Sequence, residues 1–236
     1  MAERRRPPPL DVTLKREFKL YNPNNKMDKL PELTKIPDLI FLTDILPNLA
    51  IGTLEQAQNI ELLQKHAITH VLNITRTPCP DTYVDGVDGV NSVDGVDGIK
   101  SLQIAIDDTL DTSNGNLIKH FPEGFKFIDS AIENNGKILV HCHAGISRSP
   151  AFVIGYIMWK ENGVYDVHHG KIADYGKLEH YMAIIRKYRP GIGPNLNFCG
   201  QLIMFYNAFN SIPNDGSGDN IYHHLENVCA DVLKKM

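Results

Sequence analysis

The sequence predicts an α/β fold, with a central sheet of about four to five mostly parallel strands flanked by helices. Short apolar segments rich in β-branched residues, such as 70–75 and 137–141, alternate along the chain with longer segments of helical periodicity. This alternation is typical of an α/β sandwich built around one sheet. It extends over about residues 39–210, a length that fits one large domain.

The first half of this domain begins with two short apolar runs within 39–52, which a Pro-Asn turn separates. Apolar residues at helical spacing predict one helix over 54–66, and a strand follows over 70–75. Residues 84–99 repeat Val-Asp-Gly with a period that suits neither strand nor helix, so we predict a low-complexity loop insertion. Alternating apolar residues predict a strand over 101–106.

The second half begins with an amphipathic helix that ends near residue 134 and that a proline and a glycine interrupt in its first half. A strand over 137–141 comes next, and the polar segment 163–177 is predicted to be a loop insertion. Three further helices are predicted, over residues 149–160, 178–188 and 195–209. The C-terminal tail, 211–236, has apolar positions that predict an amphipathic helix over 221–233.

The charge is unevenly distributed along the chain. Residues 1–38 form a basic, proline-containing segment that we expect to be a flexible arm, because it has little apolar surface to bury. Residues 1–36 carry a net charge of +4 and the remainder a net charge of −8. This negative body argues against nucleic acid as the main partner, since affinity for nucleic acid depends on cationic contacts to phosphate.

Several classes of protein are excluded by composition. No apolar run approaches the ~18–20 residues that a membrane span needs. The N-terminus has no apolar segment behind its arginines and therefore does not resemble a secretory signal. The four cysteines lie far apart with no Cys-x-x-Cys spacing, which argues against a disulfide scaffold or a zinc ribbon. We therefore expect a cytoplasmic protein, with the nucleus as a second compartment.

The segment Val140–Ser149, VHCHAGISRS, has the strongest chemical pattern in the chain. A strand leads into Cys142, a loop ends at Arg148, and an apolar helix begins at Ser149. The backbone N–H groups of such a loop, together with the positive end of the helix dipole, can hold a tetrahedral oxyanion and lower the pKa of the thiol. Gly145 allows a positive φ where the loop curls, and the guanidinium of Arg148 can bind two phosphate oxygens. This pattern indicates phosphoryl transfer to a thiolate.

Residues 141–149 resemble the signature loop of the cysteine-dependent dual-specificity protein phosphatases. The resemblance extends along the whole predicted domain, 39–210, through the segments 45–52, 68–73, 127–129 and 189–202. Residues 144–158 are most similar to the phosphoserine/threonine/tyrosine-interacting branch, which includes pseudophosphatases that lack the cysteine. Because Cys142 is present here, we expect an active enzyme. The resemblance implies a protein tyrosine phosphatase-like fold and a reaction without metal or cofactor.

The resemblance also implies a role for each residue of the site. Cys142 attacks phosphorus to form a cysteinyl-phosphate, which water hydrolyses, and the hydroxyl of Ser149 helps the thiolate to leave. A carboxylic acid protonates the leaving oxygen; this is Asp108 by resemblance, with Asp111 and Asp107 as alternatives. Arg148 binds the phosphate together with the loop residues His143, Ala144, Gly145, Ile146 and Ser147.

The predicted function is a dual-specificity protein phosphatase that acts on phosphotyrosine and phosphoserine/threonine in proteins. The loop lacks the lysines that phosphoinositide phosphatases of this superfamily place there, which argues against phosphoinositides as substrates. A phosphoprotein-binding module with negligible turnover is the alternative from another class. An RNA 5′-triphosphatase is disfavoured by the acidic body of the chain.

Two further features leave alternatives open. The cluster Arg4–Arg6, followed by Leu10 and Val12, has the form of a docking peptide for mitogen-activated protein kinases, or it is only part of a solvated arm. Cys79 is either a free loop thiol or, as in some relatives, a partner that forms a disulfide with oxidised Cys142.

Overall fold

The computed structural model describes residues 42–80, 83–85, 98–162, 174–211 and 221–236. Their strands form one six-stranded sheet with the order β1-β2-β6-β3-β5-β4. The strands are β1 Thr43–Leu46, β2 Leu49–Gly52, β3 His70–Asn73, β4 Tyr83–Asp85, β5 Ile99–Gln103 and β6 Ile138–His141. Only β1 pairs antiparallel with its neighbour. The predicted fold class is confirmed, and the short edge strand β4 brings the sheet to one strand more than the upper expected number.

Seven α-helices and one 3₁₀ turn accompany the sheet in the described part of the chain. The helices are α1 Leu54–Gln58, α2 Ile60–Lys65, α3 Phe121–Glu133, α4 Arg148–Asn162, α5 Asp174–Arg186, α6 Leu196–Ser211 and α7 Ile221–Lys235, and the 3₁₀ turn is Ile118–His120. The prediction of a single helix over 54–66 is wrong in one respect, because Asn59 divides this segment into two helices. Asn59 has an extended backbone, and its side chain accepts a hydrogen bond from the Leu62 N–H, so it caps a second helix.

The central strands β2, β3 and β6 are buried at every position, since both faces of the sheet are covered. On one face, Ala50, Val71 and Leu139 pack with Ala57 and Leu63 of the two short helices. Helices α3 and α4 contact the sheet as well. The ends of the central strands are therefore held in fixed positions.

Close packing between α3 and α4 depends on two glycines. A Cβ at Gly155 would lie 2.6 Å from the ring of Phe121, and a Cβ at Gly124 would lie 2.4 Å from that of Phe152. These two rings meet edge to face, with centroids 5.2 Å apart. The aromatic core therefore sets the position of α4, whose first turn follows directly from the loop that contains Cys142.

A buried carboxylate joins three helices. Asp129 of α3 accepts hydrogen bonds from Tyr156 Oη and Lys160 Nζ of α4 and from Tyr222 Oη of α7, at 2.7, 2.6 and 2.7 Å. We call these four residues the Asp129 cluster. Apolar residues of α7, namely Leu225, Val228, Cys229 and Val232, are also buried. The compact region thus continues beyond residue 210, and the helix predicted over 221–233 is present.

The described residues cover the predicted insertions only in part. The arm 1–38, residues 86–97 and residues 163–173 lie outside them. At the edges of the insertion 84–99, strand β4 includes residues 84 and 85, and β5 begins at Ile99. Helix α5 begins at Asp174, so the last four residues of the predicted loop 163–177 are helical instead. None of the described helices is both long and apolar enough to cross a membrane.

Candidate active site

The candidate site lies where the central strand β6 ends. His141, the last residue of β6, lies in register with Gly52 of β2 and Asn73 of β3, so three parallel strands end at the same edge of the sheet. Ligands of open α/β sheets bind at this carboxyl edge. The loop from Cys142 to Ser147 follows, and α4 begins at Arg148. The structure thus contains the strand, loop and helix that the sequence predicts, with the helix one residue earlier.

The thiol of Cys142 is buried within this loop, with 2% of its surface exposed. Its Sγ accepts hydrogen bonds from the Gly145 N–H at 3.2 Å and from Ser149 Oγ at 3.3 Å. Burial by itself raises the pKa of the thiol, but the Ser149 hydroxyl and N–H, the charge of Arg148 and the Gly145 N–H together lower it below its ordinary value. The loop therefore stabilises the thiolate.

Arg189 supports the loop through hydrogen bonds, although the sequence indicated no role for this residue beyond its place in the segment 189–202. Its Nε donates to the Gly145 carbonyl at 2.8 Å and its Nη2 to the Ala144 carbonyl at 3.3 Å. Its Nη1 donates to Thr43 Oγ1 at 3.0 Å, which links the loop to β1. Because these carbonyls bond to Arg189, they turn away from the space that an anion would occupy, and the N–H groups face it.

Gly145 is required by both conformation and space. Its φ is +67°, and a Cβ there would lie 2.5 Å from Arg189 Nη2 and 2.6 Å from the Gly52 carbonyl oxygen. The predicted positive φ at this position is confirmed.

Among the three candidate acids, the structure brings Asp108 to the loop. Its Oδ1 accepts hydrogen bonds from Ser147 Oγ at 2.8 Å and from Asn195 Nδ2 at 2.7 Å. Its Oδ2 lies 3.8 Å from Nε of Arg148. Asn195 therefore positions the carboxyl group, and in the sequence it was marked only as part of the segment 189–202 that resembles the family.

The other two acids have partners of their own. Asp107 forms a bidentate ion pair with Arg76, at 2.7 and 2.9 Å, and this hydrogen bonding lowers the pKa of Asp107. Asp111 accepts hydrogen bonds from Ser113 and Asn114 in its own turn. Neither carboxylate is hydrogen-bonded to the loop in the described structure.

Arg148 retains an N–H group for an anion. Its Nη1 donates to the Ile106 carbonyl at 3.1 Å, whereas its buried Nε forms no hydrogen bond within the described structure, since Asp108 Oδ2 lies 3.8 Å away, beyond hydrogen-bond distance. A buried guanidinium N–H without a partner is costly unless a ligand pairs with it. A bound phosphate would supply that partner.

Two further residues border the site. His141 is buried, its Nδ1 lies 3.2 Å from the Cys142 carbonyl oxygen, and burial lowers its pKa to about 4. It is therefore neutral at pH 7. Cys79 is a free thiol in hydrogen-bond contact with Asn73 Nδ2 at 3.4 Å. A disulfide between Cys79 and Cys142 stays a prediction. The described residues contain no group of three potential metal ligands.

Comparison with known proteins gives a consistent result. The family described as dual specificity phosphatase, catalytic domain, matches residues 49–208. Over 158 residues the chain is 33% identical to dual specificity protein phosphatase 19 of Mus musculus, covering 67% of this chain and 59% of that protein. Over 169 residues it is 32% identical to dual specificity protein phosphatase 6 of Homo sapiens, covering 70% and 36%. The match thus spans less than two thirds of each relative.

Two solved structures are also similar. The Yvh1 phosphatase domain from Chaetomium thermophilum is 29% identical with a TM-score of 0.54, covering 70% of this chain and 95% of that one. The human tyrosine phosphatase-like serine/threonine/tyrosine-interacting protein is 28% identical with a TM-score of 0.51, covering 73% and 99%.

Proposed function

Because the chain belongs to the family of dual specificity phosphatase catalytic domains, we propose that it hydrolyses phosphotyrosine and phosphoserine/threonine in proteins. One observation carries this proposal. The Cys142 thiol has a lowered pKa and lies in a loop whose Ser147 hydroxyl hydrogen-bonds the Asp108 carboxyl group, and the charge of Arg148, 3.8 Å from that carboxyl group, acts on the thiol.

In the first step the thiolate of Cys142 attacks phosphorus while the bond from phosphorus to the substrate oxygen breaks. Asp108 donates a proton to that oxygen, and Arg148 with the loop N–H groups stabilises the charge on the phosphoryl oxygens. The products are the free hydroxyl and a cysteinyl-phosphate. The hydrogen bonds from Ser147 and Asn195 support this role, since they direct the Asp108 carboxyl group towards the loop.

In the second step water attacks phosphorus and the bond from sulfur to phosphorus breaks. The Asp108 carboxylate takes a proton from the water, and inorganic phosphate leaves. Ser149 Oγ, 3.3 Å from Sγ, donates its hydrogen bond to the departing thiolate. The same contact that stabilises the thiolate before attack therefore assists its departure.

The first test is hydrolysis of para-nitrophenyl phosphate by the reduced protein without added metal. Cys142→Ser should abolish turnover, because a hydroxyl with an ordinary pKa is not ionised at neutral pH. Cys199→Ser is the matched control, since Cys199 is a partly buried thiol outside the loop. Absence of turnover in the wild-type protein would replace the proposal with the alternative of a phosphoprotein-binding module.

A second test concerns the acid. Asp108→Asn should lower turnover of a phosphotyrosine peptide by about a hundredfold, which is the lower range for a lost general acid. The loss should be much smaller for para-nitrophenyl phosphate, whose leaving group needs little protonation. Asp107→Asn is the matched control, because Asp107 pairs with Arg76. Equal losses for both substrates would remove Asp108 from the role of acid.

We also propose that residues 1–12 dock the protein on a mitogen-activated protein kinase in the cytoplasm, with the nucleus as a second compartment. The basic cluster Arg4–Arg6 followed by Leu10 and Val12 supports this proposal. Deletion of residues 1–12 should weaken kinase binding and leave turnover of para-nitrophenyl phosphate unchanged. Unchanged kinase affinity after the deletion would refute the docking role.

A further inference from the structure

Large apolar side chains are exposed around the candidate acid. In the part of the chain that the structure describes, six large apolar residues are exposed, and three of them are Leu110, Ile146 and Leu196. Their exposed fractions are 68%, 43% and 79%. Leu110 lies two residues after Asp108. Ile146 precedes Ser147 and Leu196 follows Asn195, and the side chains of Ser147 and Asn195 both donate hydrogen bonds to Asp108. Exposed apolar groups gathered at one place are typical of a binding surface.

Hydrogen bonds hold the three positions together. Leu196 lies between Asn195 and Asn197, and both asparagine side chains donate to the Thr109 carbonyl, at 3.3 and 3.0 Å. Leu110 follows Thr109 directly in the chain. The segment 108–110 and the start of α6 are therefore held side by side, with one leucine on each.

Ile146 is connected to the same group. The Gly193 N–H donates to the Ile146 carbonyl at 2.9 Å, and the Asn195 N–H donates to Ser147 Oγ at 3.2 Å. The loop from Cys142 to Ser147 is thus hydrogen-bonded to the segment that precedes Leu196. Three chain segments that lie far apart in the sequence are therefore hydrogen-bonded together at Asp108, and each of them has one exposed apolar side chain.

The three segments carry few charges. Residues 143–147, 108–117 and 190–200 contain no lysine or arginine, and their only carboxylates are Asp108 and Asp111. An acidic residue beside the phosphorylated one would therefore meet no lysine or arginine in these segments. An apolar side chain would instead remove apolar surface from water on both partners.

We propose that Leu110, Ile146 and Leu196 form an apolar rim that binds an apolar side chain next to the phosphorylated residue of a phosphopeptide. The occupant follows from continuity with the phosphate site. One residue spans at most ~3.6 Å of extended chain, so the two residues on each side of a phosphorylated residue lie within about 7 Å of it. This proposal rests on the proposed function and specifies its substrate class.

The experiment measures binding separately from turnover. Dissociation constants of the Cys142→Ser protein are measured for three phosphotyrosine peptides of equal length that carry Leu, Ser or Glu on both sides of the phosphotyrosine. The Leu peptide should bind about tenfold more tightly than the Ser peptide, and the Glu peptide no more tightly than the Ser peptide. Adding Leu110→Ser or Leu196→Ser to the Cys142→Ser protein should weaken binding of the Leu peptide about fivefold. Binding of the Ser peptide should change little. Leu233→Ser is the matched control, because Leu233 is an exposed leucine of α7.

Each outcome decides a different point. Equal affinities for the three peptides, or an equal loss for all of them in the rim variants, would overturn the proposal. Binding of anionic vesicles that depends on Leu110 and Leu196, with no preference among peptides, would assign the rim to a lipid surface and also overturn it. Selective binding without hydrolysis by the wild-type protein would refute the proposed function and support the rim.

Discussion

Replacing Ser149 with alanine should raise the pKa of the Cys142 thiol, because the thiolate loses a hydrogen bond that contributes to its stability. The Ser149 hydroxyl is fully buried and donates to Sγ over 3.3 Å. A hydrogen bond to a charged acceptor contributes about 1.5–3 kcal/mol, and one pKa unit corresponds to about 1.4 kcal/mol. Because this bond favours the thiolate, its loss makes ionisation harder and the pKa rises. The backbone N–H of residue 149 is kept in the variant, so part of the stabilisation remains.

The assay is the rate at which iodoacetamide alkylates Cys142 as a function of pH, followed by mass spectrometry of the peptide that contains it. The midpoint of the rate profile reports the pKa of the thiol. Ser147→Ala is the matched control, since it removes a hydroxyl of the same loop that bonds to Asp108 instead of the thiol. A midpoint that is unchanged in Ser149→Ala, or that moves equally in Ser147→Ala, would refute the reasoning.

Three other predictions follow from the same structure. Gly145→Ala should lower kcat/KM for para-nitrophenyl phosphate about a hundredfold, because the added methyl group displaces the loop, whereas Gly191→Ala, at an open position, should have little effect. Tyr222→Phe removes one donor of the Asp129 cluster and should lower the free energy of unfolding by about 1–2 kcal/mol in urea denaturation, and an unchanged midpoint would contradict the docking of α7. The pKa of His141 falls from 6.5 to about 4 in the folded protein, so between these values only the unfolded chain is protonated and stability decreases as the pH falls. The free energy of unfolding should fall by about 3 kcal/mol over this pH range. In His141→Asn this part of the pH dependence of unfolding should be absent. His143→Asn, which replaces a histidine of the loop, is the control and should keep it.

The choice among the three candidate acids shows how far local sequence information reaches. The resemblance favoured Asp108 and left Asp107 and Asp111 open. The choice depends on which carboxylate meets Ser147 and Asn195, which are 39 and 87 residues away along the chain. It also depends on Arg76, which pairs with Asp107. No local pattern contains that information, because these contacts form only when the segments that follow β3, β5 and β6 and the segment that precedes α6 come together in the fold.

The division of the helix over 54–66 has a different cause. The apolar periodicity is continuous across the break, so periodicity alone predicts one helix. The break follows from the Asn59 side chain, which bonds to a backbone N–H three residues ahead and begins a new helix. Here a local signal was present and was outweighed by the hydrophobic pattern.

The sequence by itself determined the loop that contains Cys142, because the strand, the cysteine, the glycine, the arginine and the helix all belong to one continuous segment of the chain. Backbone N–H groups of neighbouring residues need no distant partner to form an anion site. Only the tertiary structure decided how that loop is supported. Arg189 reaches the Gly145 carbonyl across 44 residues, and Tyr222 reaches Asp129 across 93. Such contacts depend on how helices and strands pack together, and packing is a property of the whole folded chain.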